Sequence, residues 1–228
     1  MVYTIGDLHL SLGSDKPMDI FSGWTNYLDR LRENWNSKIT ADDTVVLIGD
    51  HSWALKLSDT YKDFEFIHKE LNGKKILIKG NHDLWWSTMT KMNDLVSENG
   101  FDTICFLNNN AFFADGIAIC GTRGWIRENG EPADQKVLNR EVMRLEASVK
   151  EAEKLGGEIV AFIHYPPIYG TEDNAQIIEV LHKYGVKRCY YAHLHGSSIK
   201  GALNGERAGI YYKLVSADGV GFDPVKIN

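Results

Sequence analysis

Cysteine is scarce in this sequence, and its three copies follow no disulfide or metal-binding spacing. Cys105, Cys120 and Cys189 lie in apolar stretches, and no two of them form a CxxC pair. An odd number of cysteines without regular spacing argues against a disulfide framework. We therefore expect buried free thiols in a reducing compartment, which indicates a cytoplasmic protein.

Long hydrophobic runs and dense basic runs are also missing. No apolar stretch approaches the roughly 18 residues of a membrane span, and the first residues do not resemble a signal peptide. The formal net charge is −6, without a stripe of Lys or Arg. The missing apolar stretch argues against membrane insertion. The missing basic stripe argues against extended contact with duplex nucleic acid. It is compatible with a phosphate substrate, because bound divalent metals would reverse the local field.

The sequence also lacks a P-loop, a GxSxG motif, a dinucleotide fingerprint, internal repeats and any Pro/Gly-rich linker. What it has is an ordinary globular composition of 228 residues, 43% hydrophobic and 25% charged. A chain of this size and composition can bury a full core. We therefore predict a single domain over residues 1–228.

Short β-branched runs alternate with amphipathic segments in the first half of the chain. Strands are predicted at Val2–Ile5, Thr44–Ile48 and residues 75–79, with helices at 23–36 and 58–71 between them and another at 88–97. The run TVVLI is continuously apolar, which is typical of a strand covered on both faces.

The second half begins with a different pattern. Asp115-Gly116 lies between the apolar segments 111–114 and 117–120, which predicts a type I′ hairpin. Residues 122–136 are expected to form an irregular loop before a long helix at 137–155. Further strands are predicted at 159–163, 187–191 and 210–215, with a helix at 174–184. This order predicts a two-sheet α/β sandwich with helices outside.

Residues that can bind metals recur just after five of the predicted strands. They are Asp7 and His9 in GDLH, Asp50 in IGDH, Asn81 in KGNHD, His164 in FIHYPP, and His193 and His195 in YAHLHG. The carboxyl ends of parallel strands share one rim, where α/β sheets bind ligands. Each motif alone has an ordinary structural explanation, such as a turn, a helix cap or a buried histidine. Together they predict one pocket.

The side chains in this pocket indicate the metal. Carboxylates, imidazoles and an amide oxygen, without a thiolate, suit Mn²⁺, with Fe or Zn²⁺ as alternatives. Two cations about 3.5–4 Å apart require a shared carboxylate, a role that Asp50 could fill. We therefore expect two divalent metal ions per chain.

The motifs GDLH, GD, GNHD, a separate histidine and HxH, in this order, resemble those of the calcineurin-like metallophosphoesterases. The resemblance runs from Asp7 to His195. It implies a four-layer α/β/β/α sandwich of two mixed sheets flanked by helices. It also implies a binuclear centre, whose two ligand sets are Asp7, His9, Asp50 and His195 for one metal and Asp50, Asn81, His164 and His193 for the other. The strings GDHSWAL, GNHDLWW, GTRGW and HYPP are similar to those of a bacterial subgroup of this superfamily.

Two positions depart from the family pattern. The last motif usually begins with glycine, whereas Ala192 precedes His193 here. We expect a negative φ at Ala192, where alanine is harmless. The protein-phosphatase branch extends its motifs to GDxxDRG and GNHE, which this chain does not, so a phosphoprotein is the less favoured substrate.

The expected function is a binuclear metal-dependent hydrolase that cleaves a phosphodiester or a small phosphomonoester with a metal-bound hydroxide. Asp50 and His82 are the predicted catalytic residues, and the resemblance implies that His82 acts on the leaving oxygen. The alternatives are a metal-dependent nuclease and a non-catalytic scaffold that keeps the fold.

Several neighbours of these motifs are candidates for supporting roles. Arg123 and Arg127 in GTRGWIREN could clamp a substrate phosphate, or lie on the surface as solvated side chains. His51 could face the substrate or support the metal ligands. Asp83 is expected to cap the following helix or to orient a neighbouring group. Trp85 and Trp86 could stack on an aromatic leaving group, although core packing is the commoner role of tryptophan.

Overall fold

The computed structural model describes residues 1–125 and 132–228. Within them the helices α1 to α5 are Tyr27–Asn36, Tyr61–Lys69, Met89–Glu98, Pro132–Leu155 and Ala175–Lys183. The strands β1 to β13 are Val2–Ile5, Thr44–Ile48, Lys74–Ile78, Ile104–Leu107, Phe112–Ala114, Ile117–Thr122, Glu158–Ile163, Ile168–Tyr169, Glu172–Asp173, Arg188–Tyr191, Gly205–Arg207, Ile210–Leu214 and Val225–Lys226. Short 3₁₀ helices cover Leu57–Thr60 and Gly196–Gly201.

Two large sheets carry the fold. The first has five strands in the order β13-β1-β2-β3-β4, and only β13 runs antiparallel to its neighbour. The second has six strands in the order β11-β12-β10-β7-β6-β5, and its edge strands β11 and β5 are antiparallel. Both sheets are therefore mixed, with a parallel centre that places several carboxyl ends along one edge.

Alternation along the strands divides the core into three layers. Val46 and Ile48 of β2 pack between the two sheets, against residues such as Val160 and Phe162 of β7. Val45 and Leu47 face the other way, into a layer that contains residues of α1, α2 and α3. A third layer joins the outer face of the second sheet to α4 and α5. The result is the expected four-layer α/β/β/α sandwich, and burial on both faces explains the continuous apolar runs.

The predicted elements agree with the structure in type, and the differences lie at their ends. Helix α1 begins at Tyr27 rather than at residue 23, because Gly23 and Asn26 have φ values of +89° and +50°, which interrupt a right-handed helix. The predicted hairpin is confirmed: Asp115 and Gly116 both have positive φ between the antiparallel strands β5 and β6.

One sequence prediction in the middle of the chain is wrong, and one strand there was missed. Helix α4 begins at Pro132, inside the segment 122–136 that was expected to be a loop. Proline suits the first turn of a helix, where a missing N–H costs nothing. Strand β4, Ile104–Leu107, was not predicted, and neither were the two- and three-residue strands β8, β9, β11 and β13.

The three cysteines are free thiols, as expected. Cys120 and Cys189 are buried, and Cys105 is partly buried. No helix in the described part of the chain is long and apolar enough to cross a membrane.

Lys75 gives the fold a pH dependence that can be measured. Its side chain is buried, and its Nζ donates a hydrogen bond to the carbonyl of Leu71 at 2.7 Å. Burial lowers the pKa of Lys75 to about 8. Between pH 8 and about 10.5 the unfolded chain therefore holds more protons than the folded one, and stability rises with pH over this range.

We expect the free energy of unfolding of the wild type to rise relative to that of Lys75→Met as the pH increases from 8 to about 10.5. The relative gain should be at most about 3 kcal/mol. Urea denaturation of both proteins at several pH values would measure it. A difference between the two proteins that does not change with pH would show that Lys75 keeps its ordinary pKa.

Candidate metal centre

The two sheets meet at the carboxyl ends of their parallel strands. Gly6, directly after β1, donates its N–H to the carbonyl of Val215 after β12 at 2.8 Å and accepts a hydrogen bond from the N–H of Ala217 at 3.0 Å. A Cβ on Gly6 would lie 2.5 Å from the Cβ of Ala192, so only glycine permits this approach. The strand ends of both sheets thereby form one rim, and the predicted site residues lie along it.

One group of side chains on the rim contains Asp7, His9 and His195. Their potential ligand atoms all lie within 4.8 Å of one another. The Nε2 atoms of His9 and His195 are 3.2 Å apart, and His195 Nε2 is 3.8 Å from Asp7 Oδ2. Three potential donor atoms from both sheets therefore converge on one point.

A second group contains Asp50, His164 and His193, whose potential ligand atoms meet the same 4.8 Å limit. The Oδ1 atom of Asn81 joins this group, because it lies 2.7 Å from His164 Nε2 and 2.9 Å from His193 Nδ1. All seven residues predicted as metal ligands are thus brought together in two clusters.

Asp50 lies between the two clusters. Its Oδ2 atom is 3.9 Å from His9 Nε2 and 3.5 Å from His164 Nε2. Its other oxygen, Oδ1, accepts the backbone N–H of His82 at 2.7 Å. One carboxylate oxygen therefore faces both groups while the second oxygen holds the side chain in place.

Burial determines the protonation of this cluster. It raises the pKa of Asp7 to about 6, and it raises the pKa of Asp50 well above the ordinary value, with the nearby charge of Asp83 adding to the effect. Burial also lowers the pKa values of His9, His164 and His193. Neutral imidazoles offer a free lone pair at neutral pH, which is the form that binds metals.

The donor atoms fit divalent cations. Asp7 is fully buried, and its Oδ1 atom has no hydrogen-bond partner among the described residues. A buried carboxylate oxygen without a partner is costly unless a cation or a donor occupies the adjacent space. The set combines carboxylate, imidazole and amide ligands without a thiolate, which suits Mn²⁺, Fe or Zn²⁺.

The backbone of the cluster is strained. Asp7, His9, Asp50 and His193 all have positive φ, between 46° and 75°. Such left-handed conformations cost non-glycine residues roughly 1–3 kcal/mol each and concentrate at functional sites. Ala192 is absent from the positive-φ residues, so the expected negative φ at this position is confirmed.

Asp83 holds the strained segments together. Its carboxylate accepts the backbone N–H groups of Asp50 at 2.9 Å, His51 at 2.9 Å and Gly80 at 2.7 Å, and the indole N–H of Trp85 at 3.1 Å. The expectation that Asp83 caps the following helix is wrong, because the side chain of Thr88 caps α3. Asp83 instead orients its neighbours, which was the alternative.

The glycine of the KGNHD motif has a steric reason. A Cβ on Gly80 would lie 2.1 Å from Asp50 Oδ1 and 2.2 Å from the Asp50 backbone nitrogen. Any larger residue would displace the carboxylate that lies between the two clusters. The glycine of the GN motif and the aspartate of the GD motif are therefore in direct contact.

His82 lies at the mouth of the site. It is an exposed residue, and its ring centroid is 4.6 Å from that of Trp53 and 5.8 Å from that of His9. Burial of the inner part of the ring, together with the neighbouring His164, lowers its pKa. A neutral ring at the solvent edge of the cluster can donate a hydrogen bond to a bound ligand.

Three residues that contact the cluster were not predicted from their sequence context. Trp53 stacks on His9 at 4.9 Å, and Trp24 meets the rings of His9 and His195 at 5.9 and 5.8 Å. Asp218 accepts a hydrogen bond from His195 Nδ1 at 2.8 Å.

These residues left few signals in the sequence. Trp53 follows the IGDH motif closely, so its position was a usable signal. Asp218 lies in SADGVG, which has no distinguishing pattern.

The hydrogen bond to Asp218 and the charge of Asp7 outweigh the opposing effect of burial and raise the pKa of His195 to about 9.

The two tryptophans suggested as stacking partners of a leaving group, Trp85 and Trp86, do not lie in the metal-binding clusters. Trp85 is buried in the core beneath the first sheet, and Trp86 is partly buried against Trp85 and Phe106. Core packing, the commoner role, is thus the correct one for Trp85.

The suggested substrate contacts have different outcomes. His51 is fully buried, with its Nε2 2.8 Å from the carbonyl of Ile78, so a contact with substrate is corrected to a structural position behind the cluster. Arg123 belongs to neither cluster and pairs with Glu141 at 3.3 Å. Arg127 lies outside the described residues.

Comparisons with known proteins agree with this fold. The chain is similar to the protein of unknown function AQ665 from Aquifex aeolicus, with 17% identity, a TM-score of 0.54, and coverage of 99% of this chain and 94% of that one. It is also similar to TT1561 of Thermus thermophilus, with 12% identity, a TM-score of 0.59, and coverage of 96% and 89%. None of the curated proteins matches the sequence. The sequence profile of the calcineurin-like phosphoesterases matches residues 1–197. The chain belongs to the calcineurin-like phosphoesterase family.

Proposed function

We propose that this protein is a binuclear metal-dependent hydrolase of phosphate esters, either phosphodiesters or small phosphomonoesters. The observation that carries the proposal is the position of Asp50 Oδ2, 3.9 Å from His9 and 3.5 Å from His164, between two clusters of metal-binding residues. Two adjacent cations that share a carboxylate are typical of phosphoester hydrolases. Membership of a phosphoesterase family supports the same reaction.

The two clusters define the proposed ligand sets. One metal would be held by Asp7, His9, Asp50 and His195, and the other by Asp50, Asn81, His164 and His193. We propose Mn²⁺ as the metal, with Fe or Zn²⁺ as alternatives, because oxygen and imidazole ligands suit all three. A non-catalytic scaffold is disfavoured, since every proposed ligand is present and faces one of the two clusters.

When bound, the two cations supply Lewis acidity for the phosphate oxygens and lower the pKa of a bound water towards neutrality. The residues of the chain provide the remaining steps. Asp50 holds its orientation through the backbone N–H of His82 and through Gly80, which leaves space for its carboxylate. His82 donates a hydrogen bond to the leaving oxygen of the ester from the solvent side.

The aromatic residues position the histidines. Trp53 covers one face of the His9 ring and also contacts His82, so it fixes both rings relative to each other. Lys16 lies over the Trp53 ring, with its Nζ 4.4 Å from the ring centroid. A cation beside the mouth favours the approach of an anionic substrate.

We propose that residues 1–228 form one domain. The segment after the family match adds strands to both sheets: β12 pairs with β10, and β13 pairs with β1. Asp218, the partner of His195, also lies in this segment. A free-standing second domain would not share strands and site contacts with the first in this way.

The first test is hydrolysis of bis-p-nitrophenyl phosphate and of p-nitrophenyl phosphate by protein that has been chelated and then reconstituted with Mn²⁺. We expect metal-dependent release of p-nitrophenol, and the preferred ester distinguishes diesterase from monoesterase. Asp50→Asn should lose activity and metal, because a neutral amide is a poor bridging ligand. Two metals per chain and full activity in Asp50→Asn would contradict the assignment.

The same variant has an opposite effect on the metal-free protein. Asp50→Asn removes a buried carboxylate next to Asp83, retains an acceptor oxygen for the N–H of His82, and tolerates the positive φ. We expect the metal-free variant to be more stable than the metal-free wild type at pH 7, because the raised pKa of Asp50 means that its ionised form is destabilised by folding. Urea denaturation in EDTA measures this difference, and a less stable variant would show that Asp50 is not a strained, desolvated ligand.

Asp218 is expected to support metal binding through His195. Asp218→Ala removes the acceptor of the His195 Nδ1 hydrogen bond, and loss of such a partner typically weakens metal affinity roughly 10–100-fold. Titration of metal-free protein with Mn²⁺, followed by calorimetry, provides the measurement.

Asp223→Ala is the matched control for Asp218→Ala. Asp223 is a half-exposed carboxylate that pairs with Lys38 and lies five residues further along the chain. It undergoes the same change of charge, and we expect it to bind Mn²⁺ as the wild type does. Equal affinities in the two variants would mean that Asp218 does not orient His195.

A further inference from the structure

A second polar cleft opens beside the candidate metal centre. Its volume is about 280 Å³ when the open solvent at its mouth is included. It lies where β3, β4 and β6 end, under the first half of α4. The polar residues that line it include Lys79, Asn108, Thr122, Arg123, Glu141 and Arg144.

The cleft and the metal centre are direct neighbours on the rim. Lys79 lies two residues before Asn81, which belongs to the second cluster. The carbonyl of Thr122 accepts the backbone N–H of His164 at 3.2 Å. The cleft and the second cluster therefore share the ends of β3 and β6–β7 as neighbouring chain segments.

The cleft carries an excess of positive charge. Lys79, Arg123 and Arg144 line it together with a single carboxylate, that of Glu141. Glu141 Oε1 is 3.3 Å from Arg123 and 3.7 Å from Arg144. Three cations therefore share one carboxylate along the described wall of the cleft. This local excess contrasts with the net charge of −6 of the whole chain.

One buried donor in the cleft has no acceptor. The Nε atom of Arg123 is buried and has no hydrogen-bond partner in the described part of the chain, although the same guanidinium contacts Glu141. A buried donor without an acceptor costs about 1–3 kcal/mol, and more for a charged group. An anion in the cleft would balance the positive charge of this guanidinium.

We infer that the cleft binds a second phosphate group of the substrate, remote from the phosphate that is hydrolysed. This inference rests on the proposed function and adds a substrate class, phosphate esters that carry a second phosphate. Arg123 and Arg144 present planar guanidinium groups, which suit the oxygens of a tetrahedral oxyanion, and Lys79 adds a third cation. Free inorganic phosphate shares this chemistry, so the experiment has one arm for each source.

The first arm measures binding of inorganic phosphate and pyrophosphate to the metal-free protein by calorimetry. In this state no bound metal attracts anions to the clusters, so the cleft provides the main cationic cluster near the rim among the described residues. We expect binding by the wild type and a loss of roughly 10–100-fold in Arg144→Gln, which corresponds to one charge-assisted contact.

Arg140→Gln is the matched control. Arg140 is exposed on the same helix, about one turn before Arg144, and does not line the cleft. It undergoes the same change of charge, and we expect it to bind phosphate as the wild type does. Absence of binding to the wild type, or an equal loss in Arg140→Gln, would overturn the inference.

The second arm uses Mn²⁺-loaded protein and compares the KM for release of phosphate from fructose 1,6-bisphosphate with the KM for p-nitrophenyl phosphate. We expect the ratio of KM for the bisphosphate to KM for the monophosphate to rise about tenfold in Arg144→Gln and to stay constant in Arg140→Gln. An unchanged ratio alongside weakened phosphate binding would assign the cleft to free phosphate and overturn the substrate assignment.

The two arms separate this inference from the proposed function. Failure of the proposed function would abolish hydrolysis of both esters in every variant and leave the binding measurements intact. Failure of the inference would leave hydrolysis of p-nitrophenyl phosphate by the wild type intact, with no phosphate binding to the metal-free protein.

Discussion

The approach of the two sheets at Gly6 is the contact on which the site depends. Gly6 bonds to Val215 and Ala217, and its missing Cβ allows Ala192 to come close. Parallel strands in each sheet place their carboxyl ends at one edge. This junction brings the two edges side by side, and the contact of His164 Nδ1 with the carbonyl of Ile48 at 3.0 Å reinforces it. Each cluster draws its residues from both sheets, so separation of the sheets would dismantle both clusters at once.

The centre is arranged at a cost to the stability of the metal-free protein. Two buried carboxylates, four positive φ angles and an unpartnered oxygen of Asp7 lie within one small region of the described chain. Asp83 offsets part of this cost, because it gathers three backbone N–H groups and an indole N–H around one carboxylate. Such a network keeps the strained segments in place before any cation binds, which is the preorganisation that metal sites require.

Charge is distributed unevenly along the rim. The two clusters combine carboxylates with imidazoles, most of which are neutral because burial lowers their pKa values. The adjacent cleft is positively charged, because Arg123, Arg144 and Lys79 line it. An acidic protein can therefore present cationic surfaces where its substrate binds, provided that metals occupy the clusters.

Local sequence patterns predicted most of the secondary structure and the layered architecture. Continuous apolar runs such as Thr44–Ile48 predicted strands covered on both faces, and the order of elements predicted the sandwich. Prediction failed at strand β4, which was missed, and at the start of α1, which positive φ values delay. Residue type alone shows neither feature, because the pairing of β4 with β3 and the positive φ of Asn26 are properties of the folded backbone.

The sequence by itself determined which residues could bind metals and at which strand ends they lie, because ligand type and strand period are local properties. Only the tertiary structure decided that one oxygen of Asp50 faces both clusters, that Asp83 orients the GD and GN segments rather than capping a helix, and that Asp218 holds His195. The same holds for Arg123 and Arg144, which meet in one cleft although they lie on a strand end and a helix. Each of these contacts joins residues that are far apart in the chain and ordinary in type, so their meaning comes from packing alone.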